Sequence, residues 1–316
     1  MSYNNKNKPI GSLSMKIWKK CVLALLILVA IFIIYMLLNI RSLSVEKISD
    51  DLHVIRGVGG NTTVLNTDAG AVVIDSMTFK MQGSLIREKA EQLTGKEVVL
   101  LVNTHYHLDH THGNPGFKAG IQVVSTERTL SHLKVLDADN WQGDNAKLLP
   151  NDTFVNKKQF RLGNKTITLL HPGRGHTDGD LVVLFEEDKT VVTGDLFFNQ
   201  HYPNIDLEAG GSVQAWPATI DAVLALDFVT VIPGHGDTSN REGLVSFQRM
   251  MRQLALIGSL AAANNTALEV TLNSSDLSED AGYQPIKIAG LPLGLDREFV
   301  LKRAWEESTG NFERLN

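Results

Sequence analysis

Hydrophobic positions beyond residue 40 come in short β-branched runs, each ended by glycine, proline or a polar cluster. That is a pattern of strands joined by turns. It predicts strands over 53–56, 63–66 and 71–74, the last two joined by the turn 67–70, and a strand over 98–102. Further strands are expected over 121–124, 166–170, 181–185, 190–193 and 229–232, with 186–189 as the hairpin turn between 181–185 and 190–193. Helical spacing of apolar residues marks 79–93 (stopping at Gly95), 127–136, 212–226 and the long stretch 242–262. A terminal helix over 296–307 would be capped by Asp296. The stretch 141–152 reads as a loop bordering the pocket, and 264–294 has no decisive period. Strands and helices alternate, so the class is mixed α and β.

One apolar run does not belong to this pattern. Residues 21–38 carry no charge and are long enough to cross a bilayer core as a helix. Lys6, Lys8, Lys16, Lys19 and Lys20 precede the run, whereas only Arg41 and Lys47 follow it closely. That asymmetry implies a cytoplasmic basic tail over 1–20, a transmembrane anchor over 21–40, and a domain over 45–316 on the periplasmic or extracytoplasmic side. A cleaved signal peptide is the competing reading. The length of the core and the intervening Arg41 favour an uncleaved anchor.

Composition removes some classes of function. The formal net charge is −5 with a pI near 6.1, so no basic surface advertises a nucleic acid partner. The single cysteine, Cys21, excludes an intrachain disulfide.

The candidate chemistry is concentrated in Asn103-Thr104-His105-Tyr106-His107-Leu108-Asp109-His110, directly after the strand at 98–102. In strand-like register His105 and His107 point the same way and can grip one cation. Asp109 and His110 follow in the turn and can face a second. Imidazole nitrogen and carboxylate oxygen suit zinc, with iron or manganese possible. Three further residues sit where strands meet glycine turns: His176 in Gly175-His176-Thr177, Asp195 after Thr193-Gly194, and His235 in Pro233-Gly234-His235-Gly236.

This ordered set, H-x-H-x-D-H followed by His176, Asp195 and His235, resembles the metallo-β-lactamase superfamily over about 53–235. The resemblance implies an α+β, four-layer αββα sandwich with two metal ions, most simply zinc, at one edge between the sheets. It places one ion on His105, His107 and His176, the other on Asp109, His110 and His235, with Asp195 bridging. Asp75 would support the ligand loops by hydrogen bonding. A bridging hydroxide would attack a small ester, thioester, lactone or amide, with Asp109 holding the nucleophile and relaying a proton.

Departures from subfamilies narrow this. One large group of antibiotic hydrolases has cysteine where this chain has Asp195; a bridging aspartate is more similar to glyoxalase II, lactonases and phosphodiesterases. The alternatives are a mononuclear iron oxygenase of the persulfide dioxygenase type and a non-catalytic metal-binding scaffold. Phe197 and Phe198, just after Asp195, are expected near the pocket, where they would favour a substrate with an apolar portion. His112 is expected to be structural, His201 to lie at the pocket or in an exposed loop, and His53, His132 and His171 to have no metal role. Trp141 and Trp216 are candidates for the pocket wall, with the core as the commoner place for an aromatic.

Overall fold

The structure, a computed structural model, describes residues 10–288 and 291–312. The chain divides into two compact units, one up to Ser42 and one from Leu43 onward. The first contains α1 (Ile10–Arg41), a single helix that starts well before the expected apolar run. Its stretch Trp18–Arg41 has a mean hydropathy of 3.3 and is long and apolar enough to cross a membrane, a property shared by signal sequences. Part of the expected basic tail, including Lys6 and Lys8, lies outside the described residues.

The second unit opens with β1 (Ser44–Lys47), β2 (Leu52–Arg56), β3 (Thr62–Thr67) and β4 (Gly70–Ile74), each antiparallel to the one before it. α2 (Lys80–Thr94) then crosses to β5 (Val98–Val102), and the short α3 (Leu108–Thr111) follows the ligand turn. β6 (Gln122–Thr126), α4 (Glu127–Val135) and β7 (Asp152–Phe154) complete a seven-stranded sheet in the order β1-β2-β3-β4-β5-β6-β7, parallel from β4 onward.

A six-stranded sheet is built from β8 (Lys157–Leu162), β9 (Lys165–Leu170), β10 (Val182–Phe185) and β11 (Thr190–Phe198). After α5 (Trp216–Leu224), β12 (Thr230–His235) runs parallel to β11, and β13 (Ser239–Asn240) closes the edge. α6 (Arg241–Ala263), α7 (Leu268–Ser274) and α8 (Arg297–Thr309) follow, with Asp296 capping α8 through the Phe299 amide at 3.0 Å.

Alternating side chains produce the layers. In β10, Val183 and Phe185 enter a core shared by both sheets, which also takes Val72 and Ile74 of β4 and Val102 of β5. Val182 and Leu184 face the other way, into a core with Trp216 of α5, Phe247 of α6 and Val300 of α8. Ala71 and Val73 of β4 pack with Ile86 and Ala90 of α2. Two sheets bury one face against each other and the other against helices, which gives the αββα sandwich.

The departures from expectation have local causes. β8 reads KKQFRL, with exposed and half-exposed residues alternating at the rim of its sheet, so its charges hide the strand signal. α5 begins at Trp216 rather than 212. The Ser212 hydroxyl and the Val213 amide instead donate to the Glu307 carboxylate of α8, at 2.5 and 2.6 Å. The stretch 264–294 contains α7 and a two-residue pairing of Lys287–Ile288 with Leu291–Pro292.

Candidate metal centre

The C-terminal ends of β4, β5 and β12 meet the bulged middle of β11 at one edge of the sandwich, and each delivers a polar residue there. β5 ends at Val102 and the chain turns through His105 and His107 into α3, which carries Asp109 and His110. β12 ends on His235 itself. Asp195 lies inside β11 and not at its end as expected. The strand continues because Gly194 takes a left-handed φ of 50° and forms a bulge, with register shifts against β12 on either side. The bulge turns Asp195 into the cleft.

Seven side chains converge in two groups. One ligating atom from each of His105, His107, His176 and Asp195 lies within 4.8 Å of the others, and the same holds for Asp109, His110 and His235. Asp195 faces both groups. Its Oδ2 lies 3.7 Å from His105 Nε2 and 3.6 Å from His176 Nε2, while its Oδ1 lies 3.1 Å from His110 Nε2 and 3.4 Å from His235 Nε2.

Each imidazole of the first group has its outward nitrogen occupied. His105 Nδ1 donates to Thr104 Oγ1 (3.1 Å), which in turn donates to Asp75 Oδ2 (2.7 Å). His176 Nδ1 donates to the carbonyl of Asn204 (2.8 Å), and His107 Nε2 to Asp206 Oδ2 (2.9 Å). The inward nitrogens of these rings are thereby turned toward the cleft, where His107 Nδ1 and His176 Nε2 face each other at 2.7 Å. His105 Nε2, His110 Nε2 and Asp195 Oδ1 are buried without any hydrogen-bond partner. Lone pairs and a carboxylate oxygen aimed at one place are the donor set a divalent cation requires.

Electrostatics separates the groups. Burial holds His105 well below the usual imidazole range, with His110 adding to the effect; burial and then His107 push His176 down to about 4. In the second group burial acts in the same direction but is outweighed. Asp195, Asp109 and Asp75 keep His110 well above its ordinary value, and Asp195 and Asp109 raise His235 to about 9. Burial opposes ionisation of Asp195, yet His110, His235 and His105 hold it well below the carboxylate range. A cation seated there supplies the positive charge that otherwise comes from protons.

Asp75, the residue expected to support the ligand loops, bonds to both Thr104 and His110. It is fully buried, its Oδ1 accepts the Thr104 amide at 2.8 Å and its Oδ2 accepts His110 Nδ1 at 2.7 Å. Its φ of 61° is rare for a residue with a Cβ, and these bonds hold it in place.

Sequence reasoning missed Asp206, which also accepts the Tyr106 hydroxyl at 2.5 Å, and the Asn204 carbonyl. Neither carries a local signal; Asp206 is 99 positions from the histidine it holds. His112 is structural, paired with Asp137, which also takes the Trp141 indole. His53 lies in β2 and His132 in α4, His171 bonds the Asp180 carbonyl, and His201 bridges to Gln284. Trp216 is fully buried core. Phe197 and Phe198 are also buried, so they do not favour an apolar substrate in the way expected. Phe198 stacks on the His235 ring at 5.1 Å.

A two-sheet sandwich with five histidines and two aspartates gathered at one edge defines a metallo-hydrolase. The profile of the Metallo-beta-lactamase superfamily matches residues 55–235, and the chain belongs to that superfamily. The chain is 27% identical to the metallo-beta-lactamase type 2 of Elizabethkingia meningoseptica, over 63% of this chain and 81% of that one. It is likewise 27% identical to the metallo-beta-lactamase type 2 of Bacillus cereus, over 58% and 70%. Among solved structures it is similar to a metallo-beta-lactamase from Pontibacter korlensis, with a TM-score of 0.58 and 25% identity, covering 67% of this chain and 99% of that one. The protein is a metal-dependent hydrolase.

Proposed function

We propose that the protein is a membrane-anchored dinuclear zinc hydrolase that cleaves a small ester, thioester, lactone or amide outside the cytoplasm. The observation that carries this reading is the placement of Asp195, whose two oxygens face separate groups of imidazoles. His105, His107 and His176 would hold one ion, Asp109, His110 and His235 the other, with Asp195 shared. When bound, the ions supply Lewis acidity, polarising the scissile carbonyl and bringing the pKa of water down toward neutrality from ~16 in bulk.

The chain's own residues supply orientation and proton handling. Asp109 is partly open to solvent, with Oδ2 3.2 Å from His235 Nε2. It holds the attacking water in line and passes its proton to the leaving group. Asp75, Thr104, Asp206 and the Asn204 carbonyl fix which ring nitrogens face inward. The relatives named above are metallo-beta-lactamases, so a cyclic amide belongs in the substrate panel beside esters, thioesters and lactones.

The test is metal analysis of the full chain purified in detergent without chelators. The expected result is close to two zinc ions per chain and turnover that chelation abolishes and zinc restores; about one iron per chain would overturn it. An intact N-terminus is expected in membrane fractions, and Val45 as the first residue would refute the anchor.

A further inference from the structure

Between β11 and α5 the chain runs from Asn199 to Ala215 with no helix or strand of its own. A stretch of that kind is mobile unless other parts of the molecule hold it. This one aims two imidazoles of the first group, through the Asn204 carbonyl on His176 and Asp206 on His107. Its backbone also lies directly on the turn that carries His176. The Asp206 amide donates to the His176 carbonyl at 3.1 Å, and the Ser212 amide donates to the Gly175 carbonyl at 2.7 Å. Gly211 comes so close that a Cβ there would lie 2.3 Å from the His176 carbonyl oxygen.

The outer side of this loop is held by residues much later in the chain. α8 is seated on α6, where a Cβ at Gly258 would lie 2.4 Å from the Ala304 carbonyl oxygen. Ile205, Leu207 and Val213 of the loop share a buried core with Val300, Leu301 and Ala304 of α8. One turn further along α8, the Glu307 carboxylate accepts the Ser212 hydroxyl at 2.5 Å, the Val213 amide at 2.6 Å and the Gln214 amide at 3.2 Å. Apolar contact leaves a loop free to slide, whereas convergent bonds to a carboxylate are directional and strong. The path inward is short. Ser212 meets Glu307 through its hydroxyl and Gly175 through its amide, and Gly175 precedes His176.

We propose that Glu307 is a positioning residue of the metal centre. Through Ser212 it sets the loop that orients His176 and His107, so α8 governs the metal affinity of the first ligand group. The second group is affected less, because Asp75 holds His110 from another side. This rests on the ligand assignment in the proposed function.

The test compares the full chain in detergent with Glu307→Ala, Glu307→Gln and a control on the same helix, Trp305→Phe. The control removes only the bond from the indole to the Thr266 carbonyl, at 2.8 Å. Zinc dissociation constants are measured by chelator competition, and backbone hydrogen exchange is measured on the metal-free protein. In Glu307→Ala one zinc dissociation constant is expected to rise by about 10-fold. The Asp206 and Ser212 amides should exchange several-fold faster. Glu307→Gln should restore both readouts, because a side-chain amide accepts the two backbone amides and donates to the Ser212 oxygen. Should Glu307→Ala fail to fold, Glu307→Asp, one methylene shorter, carries the same expectation. Unchanged affinity and exchange in these variants, or equal losses in Trp305→Phe, would overturn the positioning role alone. A wild-type chain that binds no zinc refutes the proposed function and the positioning role with it.

Discussion

The two ligand groups lie side by side and are built on opposite electrostatic plans. The group of His105, His107 and His176 consists of imidazoles whose outward nitrogens are all held by hydrogen bonds, and burial keeps His105 and His176 below the usual imidazole range. The group of Asp109, His110 and His235 is crowded with carboxylates, which raise the affinity of its two imidazoles for positive charge. A site of neutral imidazoles binds a cation through preorganised lone pairs. A carboxylate-rich site binds it through charge, in competition with protons. Asp195 faces both, and in the proposed two-ion centre it would tie the occupancy of one to the other.

Removing Asp195 tests that tie most severely. Asp195→Ala is expected to reduce metal content at both groups. It should also cost several kcal/mol of transition-state stabilisation, on the order of 10³-fold in kcat/KM at about 1.4 kcal/mol per decade. Loss of only one ion by elemental analysis would show the groups to be independent.

Gly60→Ala separates the groups. A Cβ at Gly60 would lie 2.3 Å from the His110 ring, so that ring must move. Metal content is expected to fall by about one ion per chain, with turnover down on the order of 10²-fold, the scale set by losing one electrostatic partner of the transition state. Retention of His105, His107 and His176 as ligands would be read by cobalt substitution and its absorption spectrum.

Asp206→Ala loosens the first group from behind, by freeing the outward nitrogen of His107. Metal affinity there is expected to weaken by about 10–100-fold, with partial recovery in Asp206→Asn, which keeps an acceptor. Chelator competition titrations measure both.

The smallest effect tests the loop that carries Asn204 and Asp206. The Tyr202 hydroxyl donates to Asp280 at 2.8 Å, and Tyr202→Phe should cost about 1 kcal/mol of stability by denaturant unfolding. Burial, and then the Asp280 carboxylate, push this phenol up to about 12 from 10. A raised folded-state value means the contribution is present below pH 10 and lost as pH rises toward 12. The gap between wild type and Tyr202→Phe should therefore narrow across that interval.

What was legible in the chain follows from distance along it. His105, His107, Asp109 and His110 crowd one turn after an apolar strand, and His176, Asp195 and His235 sit beside glycines that mark turns, so local pattern alone exposes them. The residues that aim those ligands were hidden. Asp206 and the Asn204 carbonyl act across the sandwich, 99 and 28 positions from their histidines. The position of Asp195 within β11 was hidden too, because a bulge looks like a strand end when only the run before Gly194 is apolar. β8 was missed because rim strands carry charge where interior strands carry valine.

The one thiol of the whole chain, Cys21, lies in the apolar helix, and the side chain that faces both groups is a carboxylate. A thiolate in that shared position would climb the ladder from sulfenic to sulfonic acid on exposure to peroxide, and would react with alkylating agents. An aspartate does neither. The site therefore offers no sulfur to oxidants or thiol-directed poisons among its seven converging side chains.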